Sequence, residues 1–334
     1  MMQDRRPDLS IVIVSYNVRD LLARCLESLL SRQTTDISGE SVDSTVQVAG
    51  QRSEVYRLQF EVFVVDNASS DASADLVRSR YPSVQLIANA ENLGFAAANN
   101  QAFALARGRY ILMLNPDTAV RPSALDRLVE FMDGHPRAGA CGGKLLYADG
   151  TLQHSAFRFP SLAQIWLDFF PLNWRLHESR LNGRYPRAWY ARGEPFQVDH
   201  LLGADLTVRR EAAEQVGWLD ERFFIYCEEI DWCLRLRRAG WQVWLVPKAE
   251  IVHYEAQSTR QFRDVMFVEL WRARAKLFEK HYSPVFRRLA GIIVRLGLAS
   301  LTRQARAAEK TGRISHEEMT RRLGAFAQVA RLQA

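Results

Sequence analysis

Between residues 9 and 132 the chain alternates short runs of Val, Ile and Leu with longer segments whose apolar positions recur at helical spacing. The short runs, at 9–14, 59–65, 84–87 and 110–114, are nearly continuous in apolar residues and predict strands covered on both faces. Segments at 19–30, 70–80 and 95–107 predict helices, with Ser69 or Ser70 capping the second. Pro122 suits the first turn of a fourth helix that runs to Met132. Strands separated by helices of about 10–15 residues imply a mostly parallel, doubly wound α/β sheet. One stretch, 33–57, breaks the rhythm. It is polar, lacks a period, and reads as an inserted surface loop.

The second half changes character. Residues 156–195 are crowded with aromatics and Arg and predict an irregular loop-and-helix region. A strand over 198–209, a helix over 210–216, a helix over 228–239 stopped by Gly240, and short strands at 243–246 and 251–252 follow. From Val265 the chain reads as helical, with a turn at Ser283-Pro284. The expected division is an extension (1–8), an α/β domain (9–262) made of two halves (9–120 and 121–262), and a basic amphipathic tail (263–334).

In an open parallel sheet, ligands bind beyond the carboxyl ends of the strands. Here those ends carry Ser15-Tyr16-Asn17, Asp66-Asn67-Ala68-Ser69, Asn89 with Asn92-Leu93-Gly94, and Asn115-Pro116-Asp117. The turn after the first strand has no glycine, so a G-x-G-x-x-G dinucleotide loop is absent, and no G-x-x-x-x-G-K-[ST] loop occurs. Phosphates would have to be neutralised otherwise, and a cation is the natural candidate. Asp117 is either a ligand for Mg²⁺ or Mn²⁺ or part of an Asn-Pro-Asp turn whose side chains bond the local backbone. Glu228, Glu229 and Asp231 either complement the dipole of the helix they open or supply a general base with a raised pKa. His253 is either structural or the imidazole that completes a metal site with Asp117.

Bulk properties narrow the setting. The net charge of +6 is uneven. From Asp264 to Ala334 there are 14 Lys+Arg against 6 Asp+Glu, which leaves −2 on the remainder. The basic excess therefore points to an anionic partner local to the tail. The four cysteines show neither CxxC pairs nor zinc spacing, which fits a reducing, cytoplasmic compartment. The charged residues 1–8 do not suit a signal peptide. The longest apolar run, 289–301, is interrupted by Arg295 and is too short for a simple membrane span.

Taken in order, these motifs resemble the inverting glycosyltransferases of family two with the GT-A fold, especially the rhamnosyltransferase-like branch. The resemblance rests on residues 11–17, 64–71, 91–96 with Asn99-Asn100, 112–117, Gly203-Ala204, 208–210, 217–220, 223–235 and Gly240-Trp241, and it covers about residues 9 to 282. It implies that Ser15, Tyr16 and Asn17 lie along the nucleoside. Asp66 would accept a hydrogen bond from the imide of uracil or thymine. Asn67, Asn92, Gly94 and Asn99 would border nucleotide and sugar. Asn115-Pro116-Asp117 stands at the family's Asp-x-Asp motif, so Asp117 would hold a divalent cation, with His253 as the late histidine ligand. Glu229 occupies the place of the catalytic base and Asp231 that of a second acid, while Gly203, Ala204, Glu228 and Trp232 would face the acceptor. Asn115 replaces an Asp of the strict motif, and Glu229 is one methylene longer than the usual Asp.

The implied reaction moves a sugar from a nucleoside-diphosphate donor, dTDP-rhamnose or a UDP-hexose, to a hydroxyl of a glycan or polyprenyl-linked acceptor, with inversion, in cell-surface polysaccharide assembly. The basic tail would then lie on the anionic inner face of the plasma membrane, or pack on protein. The rival readings are a nucleotidyltransferase, which lacks its phosphate loop here, and a noncatalytic sugar- or nucleotide-binding module, which has little need of the Glu229 cluster. No nucleic-acid-binding motif accompanies the basic tail.

Overall fold

Strand β1 (Leu9–Ser15) is buried along its whole length. Leu9, Ile11 and Ile13 face one apolar core, and Val12 and Val14 face a second on the opposite side. Successive side chains of a strand point to opposite faces, so a strand covered on both sides reads as one continuous apolar run. The same division holds in β2 (Phe60–Asp66), where Val62 and Val64 oppose Phe63 and Val65. These coordinates are a computed structural model, which describes residues 6–34, 47–48, 51–52, 58–171, 173–254 and 263–332. Most of the expected 33–57 insertion lies outside the described residues.

The strands β1, β2, β3 (Gln85–Ala88) and β4 (Tyr110–Leu114) are mutually parallel, in the order β3-β2-β1-β4. Helices α1 (Arg19–Thr34), α2 (Ser73–Arg80) and α3 (Phe95–Leu105) make the crossovers. Beyond β4 the sheet becomes mixed. It continues through β7 (Asp205–Arg209), β6 (Ala138–Leu146) and β8 (Gln242–His253), with β5 (Thr118–Val120) pairing on β8. β7 runs antiparallel to β4, with Asp205 opposite Leu114. An antiparallel neighbour begins where β4 ends, so residues 203–205 are delivered to the edge that carries Asn115 and Asp117. Helix α4 (Ala124–Gly134) covers one face, and α6 (Arg210–Val216) and α7 (Glu228–Arg238) cover the other.

Several local expectations need correction. α2 starts at Ser73 and has no side-chain cap; Asp71, rather than Ser69 or Ser70, accepts the Ser73 N–H at 3.1 Å. α4 starts at Ala124, after Ser123 in the left-handed region, so Pro122 lies outside it. The strand expected over 198–209 is interrupted at Leu202 to Ala204, and the two short strands expected after 242 are one bulged strand. β6 gave no sequence signal, because its Ala, Gly and Cys residues lack the β-branched signature.

The tail forms three helices, α8 (Arg263–His281), α9 (Pro284–Lys310) and α10 (His316–Arg331), with caps at Ser283 and Ser315. They enclose a third core, in which Trp271, Leu277, Val294 and Val329 pack with Ile165 and Phe169 of α5 (Leu162–Phe169) and with Phe223 and Cys227. One face of α9 therefore packs on the rest of the protein. Gly297 is the closest point: a Cβ there would fall 2.1 Å from the Phe169 ring. Replacing Gly297 with Val should lower the unfolding free energy by about 1–3 kcal/mol through overpacking. Gly324→Ala, whose Cβ would meet nothing within 4 Å, should be neutral or gain up to about 1 kcal/mol from helix propensity. Urea unfolding of both variants tests the seating of the tail.

Candidate active site

The site begins where β1 and β2 end side by side. Their parallel register places Ser15 opposite Asp66. Asp66 Oδ2 accepts the Ser69 N–H at 3.1 Å. Its Oδ1 and the Ser15 hydroxyl are buried and find no hydrogen-bond partner among the described residues. A buried acceptor left open is costly unless a ligand fills it. Asn17, in the left-handed region at φ 54°, joins the two loops. Its Oδ1 accepts the Ser70 N–H at 2.7 Å, and its own N–H donates to Ser69 Oγ at 3.0 Å. Tyr16 stays 43% exposed at the lip.

Asn67 and Asn92 form the frame of this end. Asn67 Nδ2 donates to Asn92 Oδ1 at 2.8 Å, while Asn67 Oδ1 accepts the Leu93 N–H at 3.0 Å. These bonds hold the turn that leads into α3. Gly94, at φ 85°, opens that helix, and any Cβ there would lie 2.6 Å from the Phe224 carbonyl oxygen. The same oxygen accepts the Phe95 N–H at 2.6 Å. Glycine is thus required both by backbone conformation and by close approach. Asn99 is fully buried; its Nδ2 donates to the Phe95 carbonyl at 2.8 Å, and its Oδ1 has no partner among the described residues.

Beyond β4 the Asn115 N–H donates to the Ala204 carbonyl at 3.0 Å, and the Asn115 carbonyl accepts the Thr118 hydroxyl at 2.7 Å. The turn is held through the Asn115 backbone and not through the side-chain-to-backbone bonds that the turn reading expects. The Asp117 carboxylate is turned elsewhere: its Oδ1 lies 3.2 Å from His253 Nε2. β5 pairs with β8 so that His253 is opposite Thr118, which brings residues far apart in sequence into contact. His253 Nδ1 lies 3.0 Å from Gln153 Oε1. Gln153 thus holds the ring at Nδ1, and Nε2 is the nitrogen turned to Asp117. Gln153 was not foreseen, and nothing in its short strand marked it. Among the described residues, no three His, Cys, Asp or Glu side chains form a metal cluster.

Glu228 and Glu229 open α7 on the other side of Gly203. A Cβ on Gly203 would lie 3.8 Å from both Glu228 Oε1 and Glu229 Cβ. Gly203 adjoins Ala204, whose carbonyl binds Asn115. The acid pair and the Asn115–Asp117 turn thus share one cleft edge. Both acids are buried, and Oε2 of each has no partner among the described residues. Burial, and for Glu228 also the Glu229 charge, pushes both carboxyls above their ordinary range. Tyr226 and Cys227 precede them with φ of 70° and 67°, two consecutive non-glycine residues in the left-handed region. That backbone costs roughly 1–3 kcal/mol per residue and turns the acids inward.

Two expected members do not join this group. Asp231 accepts from Arg235 Nε at 2.8 Å and lies 2.6 Å from both Lys280 and His281. Burial acts to raise its pKa, but the bonds from Lys280 and His281 and the Arg235 charge outweigh it. Asp231 therefore ties α7 to α8 and has no free oxygen with which to take a proton. Trp232 is buried against Phe103, and its indole N–H donates to the Gly217 carbonyl at 3.0 Å, so it is core rather than acceptor surface. Asp205 is buried at the start of β7 with its pKa pushed up to about 7 by burial.

Residues 10–205 match the profile of Glycosyl transferase family 2, and residues 110–303 match that of Glycosyl transferase family group 2. The chain is a member of glycosyl transferase family 2. This family 2 chain is 34% identical over 218 residues to the N-acetylglucosaminyl-diphospho-decaprenol L-rhamnosyltransferase of Mycobacterium tuberculosis (strain ATCC 25618 / H37Rv), covering 59% of this chain and 67% of that one. It is 27% identical over 207 residues to a rhamnosyltransferase of Escherichia coli (strain K12), covering 59% and 70%. It matches an O-antigen biosynthesis protein of Myxococcus xanthus at 27% identity over 76% of this chain but only 18% of that relative. In fold it is similar to a mannosyltransferase from Pyrobaculum calidifontis solved in complex with GDP-Man and Mn2+, with a TM-score of 0.55, 15% identity, and coverage of 98% of this chain and 86% of that one. The GT-A fold of a glycosyltransferase is thus the scaffold for the cleft.

The buried acid pair in this glycosyltransferase has a pH signature. Below the ordinary carboxylate pKa of 4.5, both acids are protonated whether the chain is folded or not. As pH rises from there to about 7, the unfolded chain ionises while the native pair retains protons, so native stability falls across that window. Glu228→Gln should therefore be more stable than the natural chain at pH 8, by about 1–3 kcal/mol, and the gap should close near pH 4.5. Urea unfolding at the two pH values checks this.

Proposed function

We propose that this protein transfers a sugar from a nucleoside-diphosphate donor to an acceptor hydroxyl with inversion, Glu229 acting as the general base. The observation that carries the reading is the buried Glu228–Glu229 pair at the edge that also carries Asp117 and His253. A carboxylate with a raised pKa and a free oxygen, beside a site for an anionic leaving group, suits proton removal from a hydroxyl. A noncatalytic binding module would gain nothing from the strain and desolvation invested in that pair.

In the proposed reaction the acceptor hydroxyl lies against Glu229. Its oxygen attacks the anomeric carbon from the face opposite the diphosphate. The new C–O bond forms as the bond to the diphosphate oxygen breaks, and the hydroxyl proton passes to a Glu229 carboxylate oxygen. Glu228 stays protonated beside it, so that only one of the pair is charged at a time. The open Asp66 Oδ1 suits the imide N–H of a uracil or thymine base, which favours a UDP- or dTDP-sugar. Ser15, Tyr16 and Asn17 border the nucleoside, with Asn67, Asn92 and Gly94 shaping the wall behind it. Gly203, Ala204 and Glu228 border the acceptor.

A divalent cation fits between Asp117 and His253. Their facing atoms, a carboxylate oxygen and an imidazole nitrogen held by Gln153, are a donor pair that suits Mn²⁺ and is less typical of Mg²⁺. When bound, the cation would neutralise charge on the departing diphosphate.

The M. tuberculosis relative is named for a lipid-linked acceptor and a rhamnosyl transfer. By that likeness the acceptor proposed here is a polyprenyl-diphosphate saccharide and the sugar is rhamnose, in cell-surface polysaccharide assembly at the cytoplasmic face of the membrane. The four cysteines are free and buried, which is in keeping with a reducing compartment. Glu229→Gln should lower kcat by about 10²–10⁴-fold with little change in donor Kd, and remove the neutral-range acid limb from the pH profile of kcat/KM. Full transfer by a folded Glu229→Gln protein would overturn the assignment. Asp117→Ala and His253→Ala should each weaken Mn²⁺-dependent donor binding in calorimetry. A chelator should abolish transfer by the natural enzyme, and added Mn²⁺ should restore it.

A further inference from the structure

Helix α9 has two apolar faces. Ala290, Val294, Gly297 and Leu298 are buried against the rest of the protein. At about 100° per residue, Val285, Leu289, Ile292 and Leu296 lie on the opposite side, within one narrow stripe. They are 63%, 43%, 47% and 51% exposed. A helix packed on a globular protein normally turns polar residues outward. Here the outward stripe is made of large aliphatic side chains, and such a patch on a monomer marks an interaction surface.

The charges around the stripe identify its partner. Across α9 there are six basic residues and one acid, Glu309. Arg288, Arg295 and Arg306 fall along one border of the stripe at helical spacing, and Arg303 continues its axis. On that same border a groove of about 380 Å³ runs between α9 and α10. Arg295 and Arg306 line it together with the apolar Leu298, Leu323, Phe326 and Ala330. Aliphatic side chains that enter hydrocarbon, arginines at headgroup level, and a cleft that is cationic and apolar at once together fit an anionic bilayer surface. Among the described residues, no helix is long and apolar enough to cross a membrane.

We infer that the outer face of α9 docks this protein on anionic lipid, with the helix lying in the plane of the interface. From sequence the tail could either lie on a membrane surface or pack on protein. The structure divides α9: the inner half fixes the tail to α5, and the outer half is left for lipid. The inference rests on the reading of a lipid-linked acceptor for its purpose, but its chemistry is independent of Glu229.

Co-sedimentation of the full chain with vesicles tests this. Vesicles of phosphatidylcholine and phosphatidylglycerol, in a two-to-one mixture, should bind the protein roughly tenfold better than phosphatidylcholine alone, and added salt should weaken that binding. Leu289→Ser combined with Ile292→Ser and Leu296→Ser should abolish binding. Arg288→Glu with Arg306→Glu should abolish the preference for the anionic vesicles. These side chains are outward, so thermal unfolding and transfer to a detergent-dispersed acceptor should stay as in the natural chain. Equal binding to both vesicle types, or a triple serine variant that still sediments, would overturn the inference. So would a triple variant whose only defect is dissociation of a dimer, which would assign the stripe to a second copy. Glu229→Gln should bind vesicles normally, so loss of the catalytic reading and loss of the docking face give different results.

Discussion

One hydrogen bond marks the constraint on which the site depends: the Asn115 N–H to the Ala204 carbonyl, where the antiparallel β7 begins beside the end of β4. A wholly parallel sheet would collect only the loops that follow its strands. Adding one reversed strand brings the segment before a strand to the same edge. The loop around Gly203 therefore meets the turn around Asp117, and the first turn of α7 packs on that loop. Without this reversal the two halves of the chain would present their polar groups at opposite ends of the sheet.

The acid pair is held there at a cost. Two carboxyls are buried side by side, each with an oxygen that has no partner among the described residues, and the approach to them runs through two left-handed non-glycine residues. The N-terminus of α7 offsets part of this, since helix dipoles and first-turn amides favour negative charge. The remainder is supplied by packing: Phe223 and Cys227 belong to the core made with the tail. The helix reading and the base reading of Glu228 and Glu229 are therefore not exclusive. The dipole that tolerates the acids is what allows one of them to be buried, poised and still ionisable.

The parallel half of the fold was legible because burial on both faces writes itself into sequence as unbroken Val, Ile and Leu. β6 was not legible, because a strand built of Ala, Gly and Cys carries no such signature and is held in place by its neighbours β7 and β8. The residues at strand ends could be listed from sequence, but their division of labour could not. Asn67 and Asp66 are adjacent and both polar. One spends its amide on Asn92 and Leu93, and the other keeps an oxygen open. Asp231 sits two residues from Glu229, yet the helical turn directs it to Lys280 and His281. Gln153 was invisible because its role is defined only by where β8 ends.

The Asp231 ion cluster links the tail to the chemistry. α7 carries Glu229 at its start and Asp231 two residues on, turned to another side of the helix, and α8 ends on Asp231 through Lys280 and His281 before Ser283 caps α9. A buried carboxylate stripped of those partners would be an uncompensated charge, so the junction is either fully formed or strongly destabilising. The cluster therefore fixes the helix that bears the proposed base to the end of α8, which leads through Ser283 into the helix that bears the outward aliphatic stripe. Under the proposed reading, with a lipid-linked acceptor and α9 docked on lipid, this connection would relate the orientation of α9 at the surface to that of the cleft.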